Sequence, residues 1–193
     1  MKPFSNYENT QTFSERPTLP AGGYVAKIKK AVVRTYKNGE IEKLEIAFDI
    51  AEGEYKDFFA NDLASQTVED KKWKGVLRLF IPTDDGSDKD NTTKSIFKGN
   101  IEAVEDSNAG YHWDWDEKKL AGKTVGVIFR NEEWEFNDKR GWKAQPFKFF
   151  SASKIREGKF TIPKDKSLNN SSLKPQSTVP AGYEVIDDDD CPF

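Results

Sequence analysis

The chain reads as a mainly β protein, a five-stranded antiparallel fold interrupted by one or two inserted helices. Three features predict this. Long runs rich in β-branched and aromatic residues occur on both sides of residues 60–110. Asn38-Gly39 separates two such runs, and this dipeptide is the strongest short-range hairpin signal. A second pair, Glu133–Phe136 and Gly141–Phe150, flanks the turn-forming stretch Asn137-Asp-Lys-Arg-Gly141.

The elements follow in order. Residues 1–21 are polar, contain Pro17 and Pro20, and read as an arm. Tyr24–Tyr36 is the first strand. Tyr24, Ala26 and Ile28 share one face, but Val32 and Val33 are adjacent, so a bulge is expected near Lys29–Ala31. After the turn Lys37-Asn38-Gly39-Glu40, Leu44, Ile46, Phe48 and Ile50 alternate with Lys43, Glu45, Ala47 and Asp49. One face of this strand is therefore buried and the other wet. Gly53 allows a turn into an expected third strand, Tyr55–Ala60. Trp73, Val76, Leu77, Phe80 and Ile81 fall at helical spacing, although Gly75 weakens a helix there. Ile96, Phe97, Asn100, Ile101 and Val104 predict a second helix, capped by Asn91 or Thr92. Strands resume at Gly122–Arg130 and end in the closing hairpin. Three strands, a helical segment and a hairpin is the order of an OB-fold, whose five strands form a small barrel. The expected organisation is an arm over 1–21, an OB-fold-like domain over 22–157, a flexible linker over 158–183 and an acidic tip over 184–193.

Composition narrows the function. Aromatic residues are abundant (14 Phe, 6 Tyr, 5 Trp) and a third of the chain is charged, which implies a packed core under a very polar surface. No apolar run approaches the length that spans a membrane, and no signal-peptide core is evident, so a cytoplasmic, membrane-free protein is expected. One cysteine, Cys191, excludes an intrachain disulfide. The net charge of −3 is uneven. The last ten residues hold five of the 33 carboxylates, leaving residues 1–183 with 30 basic against 28 acidic side chains. A mildly basic body with an acidic tail suits a tail that competes with nucleic acid.

The closing hairpin interleaves rings with cations: Arg130, Trp134, Phe136, Lys139, Arg140, Trp142, Lys143 and Phe149. Single-stranded nucleic acid exposes base faces, and each stacked base contributes roughly 1–3 kcal/mol regardless of sequence. Cations between the rings neutralise phosphates and make binding salt-dependent. Lys27, Lys29, Lys30, Arg34 and Tyr36 on the first strand, with Lys37 at the turn, form a second candidate patch. In an OB-fold that hairpin borders the same groove as the last one. Lys71, Lys72, Trp73, Lys74 and Arg78 form a third patch, with Trp73 expected to face the core. Trp113 and Trp115 lie on one side of the segment Tyr111–Glu117, either covering a barrel end or adding to the groove.

The C-terminus is Glu184-Val-Ile-Asp-Asp-Asp-Asp-Cys-Pro-Phe193. Such a charge run cannot bury enough apolar surface to fold alone and is expected to stay solvated, with one ring fixed behind a stiff proline. It resembles the C-terminal tip of bacterial and phage single-stranded DNA-binding proteins, an Asp-rich run ending in Pro-Phe. The resemblance implies that Asp187, Asp188, Asp189, Asp190, Pro192 and Phe193 recruit replication, recombination or repair proteins. The body lacks the family's usual cellular motifs and the linker lacks its long Gly/Gln-rich composition, so a phage-encoded member is expected. Members of the family commonly self-associate, so a homo-oligomer is expected. Cys191 departs from the family, which generally has an aliphatic residue there.

No catalytic set is evident with one His and one Cys, no Walker phosphate loop is present, and no cofactor or metal site is expected. The reading is a non-catalytic, sequence-independent single-stranded DNA-binding protein. Two alternatives differ in class. One is an adaptor that docks partners without binding DNA. The other is a magnesium-dependent DNA-processing enzyme using Asp84, Asp85, Asp88 and Asp90.

Overall fold

The computed structural model describes residues 2, 5–9, 17–36, 39 and 41–168. Within them one five-stranded antiparallel sheet carries three helices. The elements in order are β1 (Gly22–Tyr36), β2 (Ile41–Ile50), α1 (Phe58–Ser65), β3 (Val76–Phe80), α2 (Asp88–Ser107), β4 (Thr124–Phe136), β5 (Lys139–Phe150) and α3 (Ala152–Arg156). Spatially the strands run β3-β2-β1-β4-β5, with β1 at the centre. The sheet is not closed into the barrel expected from the sequence. Its two edges, β3 and β5, border a common crevice of about 220 Å3 without a ladder between them.

The β1–β2 register pairs Ile28 with Phe48 and then Lys30 with Ala47, so the expected bulge sits at Lys29. This extra residue keeps the inward face apolar on both sides of it, with Ala26 and Ile28 before and Ala31 after. The core lies between that face and α1 and α2. At its centre the fully buried Phe48 ring meets Phe59, Phe129 and Phe149 edge-on, at centroid distances of 5.7, 6.1 and 6.1 Å. A smaller cluster of Val25, Ile128, Ala152 and Ile155 covers the other face of β1 and β4 beneath α3. Cover on both faces explains why Val125–Arg130 is continuously buried instead of alternating.

Two sequence expectations fail in the connection after β2. The segment 55–60 enters helix α1 instead of forming a strand, and the segment 73–81 contains strand β3 instead of a helix. Leu77 and Leu79 alternate to pair with Ile46 and Leu44 of β2, so a period of two prevails over the helical spacing. Gly75 admits the close approach. A Cβ there would stand 2.5 Å from the Phe48 carbonyl oxygen and 2.5 Å from the Phe59 ring.

Helix α1 is started from outside its own sequence. Asp57 at its N-cap is left-handed (φ 59°) and makes no side-chain cap bond. Instead, buried Asp49 of β2 accepts the N–H groups of Phe59 at 3.0 Å and Ala60 at 3.2 Å, and that of Ile50 at 3.0 Å. Asp49→Ala is expected to destabilise the fold by about 2 kcal/mol, because those helix donors lose their acceptor in a buried site. Urea unfolding followed by circular dichroism measures it, and a change under about 0.5 kcal/mol would remove Asp49 from this role.

Helix α2 begins at Ser87, whose Oγ accepts the Asp90 N–H at 3.1 Å, several residues before the expected caps Asn91 and Thr92. Side-chain amides fasten it to the sheet. Asn100 Oδ1 accepts the Phe149 N–H at 2.7 Å, while Asn108 both donates to the Thr124 carbonyl (2.7 Å) and accepts from its N–H (3.0 Å).

The stretch after Gly158, expected to begin a linker, is joined to the body as far as Leu168. Beyond Phe129, strand β4 outruns β1 and leaves an open edge. The Lys166 N–H donates to the Asn131 carbonyl at 2.9 Å, and the Glu133 N–H donates to the Lys166 carbonyl at 2.8 Å. Phe160 packs on the smaller cluster, beside Gly23. The rest of the expected linker and the tip 184–193 lie outside the described residues, as does most of the Lys37–Glu40 turn.

Candidate nucleic-acid interface

Strands β1, β2 and β3 turn one face to the core and the other outward. Register assigns the outward rows: Lys30, Ala47 and Val76; then Val32, Glu45 and Arg78; then Arg34, Lys43 and Phe80, with Tyr36 beyond. Lys27 stands one step earlier, opposite Asp49. This face gathers five cations and two aromatic rings. Its carboxylates are Glu45 and Asp49, and Asp49 is buried in capping α1.

The centre of the face is an ion cluster. Glu45 receives Arg34 Nε at 2.9 Å and Arg78 Nε at 2.8 Å, and the Tyr36 hydroxyl donates to the same carboxylate. Burial opposes ionisation of Glu45, but the hydrogen bonds from Tyr36 and Arg78 and the charges of both arginines outweigh it. Its carboxyl is held below the usual carboxylate range. Lys43 lies over the Phe80 ring at 4.1 Å and near Tyr36 at 5.4 Å, so this ammonium is bordered by two aromatic faces.

The crevice between β3 and β5 continues this face toward the closing hairpin. Lys43, Arg78 and Phe80 line one side, and Arg130, Glu132, Gln145 and Phe147 the other. Arg130 is buried, stacked on Phe147 at 4.6 Å and paired with Glu132 at 3.1 Å. The hairpin turns through Asn137 (φ 48°) and Asp138 (φ 57°), the two left-handed residues of a type I′ turn. Gly141 lies beyond the turn, in β5 opposite Trp134, and makes room for that ring, since a Cβ there would stand 2.9 Å from it.

Register divides the hairpin residues. Trp134, Phe136, Lys139 and Lys143 share the face of Arg130, whereas Arg140 and Trp142 project from the opposite one. Phe136 is 70% exposed and Trp142 51%, while Trp134 is half-buried over Gly141. Arg140 is engaged with Glu135 at 2.9 Å. Phe149 is a core residue and not one of the DNA-facing rings expected from the sequence. At 2% exposure, against Phe48 in the core, it offers no face to a base.

Of the first-strand residues, Arg34 and Tyr36 join the ion cluster, and Lys27 and Lys29 are exposed nearer the bulge. The third patch disperses. Arg78 belongs to the outward face, Trp73 Nε1 donates to the Phe48 and Gly75 carbonyls at 3.1 Å each, and Lys74 pairs with Asp62. Lys43 and Phe80 are additions that the sequence reading missed. Alternation of Val76, Arg78 and Phe80 with Leu77 and Leu79 was the signal that could have found Phe80.

Trp113 and Trp115 lie away from this face, in an apolar groove of about 750 Å3 between α2 and Val33 and Leu44. Trp115 is 80% exposed and its backbone is left-handed (φ 67°). The acidic loop is organised around its own helix. Buried Asp90 accepts the Asp84 and Gly86 N–H groups at 3.0 and 3.3 Å and pairs with Lys94 at 2.8 Å, while Asp84 also pairs with Lys94. Among the described residues no group of three or more His, Cys, Asp and Glu side chains could hold a metal ion. Nor is any helix among them long and apolar enough to cross a membrane.

Compared with protein-family models and with curated protein sequences, the chain matches none.

Proposed function

We propose that this protein binds single-stranded DNA without sequence preference and acts in DNA replication or recombination. The observation that carries the reading is the outward face of β1–β3. It sets Lys30, Arg34, Lys43 and Arg78 beside Tyr36 and Phe80 and borders a crevice lined by Arg130 and Glu132, on the β4 face that further along carries Trp134 and Phe136. Aromatic faces accept bases of any identity and the cations meet the phosphates between them. The strand order, with α2 between β3 and β4, is also what an OB-type barrel requires if β3 and β5 close on each other. In such folds the β2–β3 face and the two hairpin loops take up oligonucleotides.

The tip, Asp187–Asp190 with Pro192 and Phe193, is the partner-recruiting element of this proposal. Its resemblance to single-stranded DNA-binding proteins supports a phage-encoded, self-associating factor working in the host cytoplasm. Titration with oligo(dT), read by tryptophan fluorescence, tests the reading. Quenching that weakens as salt rises is expected, and no quenching or complex at low salt would sink the proposal. The same titration on a chain ending at Ile186 isolates the tip: affinity should hold or rise, and a loss would place the tip within the DNA site.

A further inference from the structure

Three donors on the outward face converge on one carboxylate from two different strands. Glu45 sits in the middle row, with Arg78 directly opposite on β3 and Arg34 on β1 one row further. Both guanidinium groups meet it through Nε, at 2.9 and 2.8 Å, and the Tyr36 hydroxyl completes the set. Exposure is distributed unusually for a surface ion pair. The arginine side chains remain 63% and 54% exposed, whereas the Glu45 side chain is only 14% exposed. The acid therefore lies beneath its donors and the cations stay open to solvent above it.

Two arginines and a hydroxyl around one anion are a donor set suited to a phosphate group, which offers more acceptor oxygens than a carboxylate. Lys43 is the next residue outward on β2, flanked by two rings. A base stacked at Phe80 or Tyr36 would carry its phosphate toward these cations.

We propose that Arg34, Arg78 and Tyr36 form a subsite for one phosphodiester of a bound single strand, and that Glu45 is its built-in occupant. This rests on the DNA-binding reading above. In the free protein Glu45 keeps both guanidinium groups paired and oriented. A strand that engages them must share or displace the carboxylate, so Glu45 weakens binding and keeps the complex exchangeable. It is a positioning residue with a repulsive component, and among the described residues of this face it is the carboxylate that does not cap α1.

Glu45→Gln keeps the shape and the acceptor for Tyr36 but removes the charge. Oligo(dT) titrations of the wild type and Glu45→Gln from 50 to 300 mM NaCl test it. The variant should bind about five- to tenfold more tightly at 100 mM, with a slope of log K against log salt steeper by about 1. Arg34→Ala should do the opposite, weakening binding and flattening the slope by about 1. It also serves alone if melting shows that Glu45→Gln is unfolded.

The outcomes separate the two claims. A wild type that does not bind oligo(dT) overturns the DNA-binding reading and this subsite together. A wild type that binds while Glu45→Gln is unchanged or weaker overturns the subsite alone, because Glu45 then merely scaffolds the arginines. An Arg34→Ala protein that binds as the wild type does has the same consequence. Sodium tripolyphosphate at matched ionic strength provides the last arm. If only its binding improves in Glu45→Gln, the subsite serves a free anion and the strand assignment falls.

Discussion

Reversing the charge at Lys43 is expected to weaken oligo(dT) binding about tenfold or more at 0.1 M salt, with a salt slope shallower by about 1. Lys43 occupies the middle of the outward face, between Arg34 on β1 and Phe80 on β3. Its ammonium lies over both Phe80 and Tyr36, where a phosphate joining two stacked bases would fall. Lys43→Glu removes that counter-charge and adds a second carboxylate beside Glu45, so phosphate repulsion joins the lost attraction. The side chain belongs to the wet face, so the fold should persist, and the far-ultraviolet circular dichroism spectrum checks this. Binding that is unchanged in affinity and slope would remove the β1–β3 face from the interface. Phe136→Ala would then be the variant to examine, because that ring is exposed at the end of β4, on the face of Arg130.

Phe48→Ala is expected to destabilise the protein by about 4 kcal/mol, the range for emptying a large buried aromatic site. Phe48 is fully buried, and its ring is the common neighbour of Phe59 on α1, Phe129 on β4 and Phe149 on β5. These elements are far apart in sequence, so a single cavity loosens the helix and both halves of the sheet together. Phe59 also lies close to Gly75, just before β3, where a Cβ would stand 2.5 Å from its ring. Chemical denaturation gives the loss directly from the midpoint, provided the slope is unchanged. A value below about 1.5 kcal/mol would mean that the neighbouring rings collapse into the space.

The two predictions depend on features of different legibility. The alternation in β2 announced which residues face inward, and it placed Lys43 and Glu45 on the wet side directly. The bulge at Lys29 was equally legible, because Val32 and Val33 broke the period at one definable point. The β4–β5 hairpin was anticipated as well, although its turn comes from Asn137 and Asp138 and leaves Gly141 to accommodate Trp134.

The misreadings share one physical origin. Segments 55–60 and 73–81 are short and rich in large apolar residues, so helix and strand spacings both fit them. Contacts remote in sequence made the choice. Asp49 supplies the acceptor that begins α1, and the unpaired edge of β2 accepts Val76–Phe80 as a strand. Phe149 reads with the hairpin rings because local pattern records that a residue is aromatic, not which side of a curved sheet it meets.

Periodicity and turn chemistry, which act within a few residues, thus carried the mainly β class, the helix α2 and the central hairpins. Composition carried the acidic tip and the charge imbalance. The neighbour across each strand is a different matter, since it is chosen by register between segments up to dozens of residues apart. Only the folded sheet brings Arg34, Glu45 and Arg78 into one cluster, divides Trp134 from Trp142, and sets the β3 and β5 edges around a shared crevice.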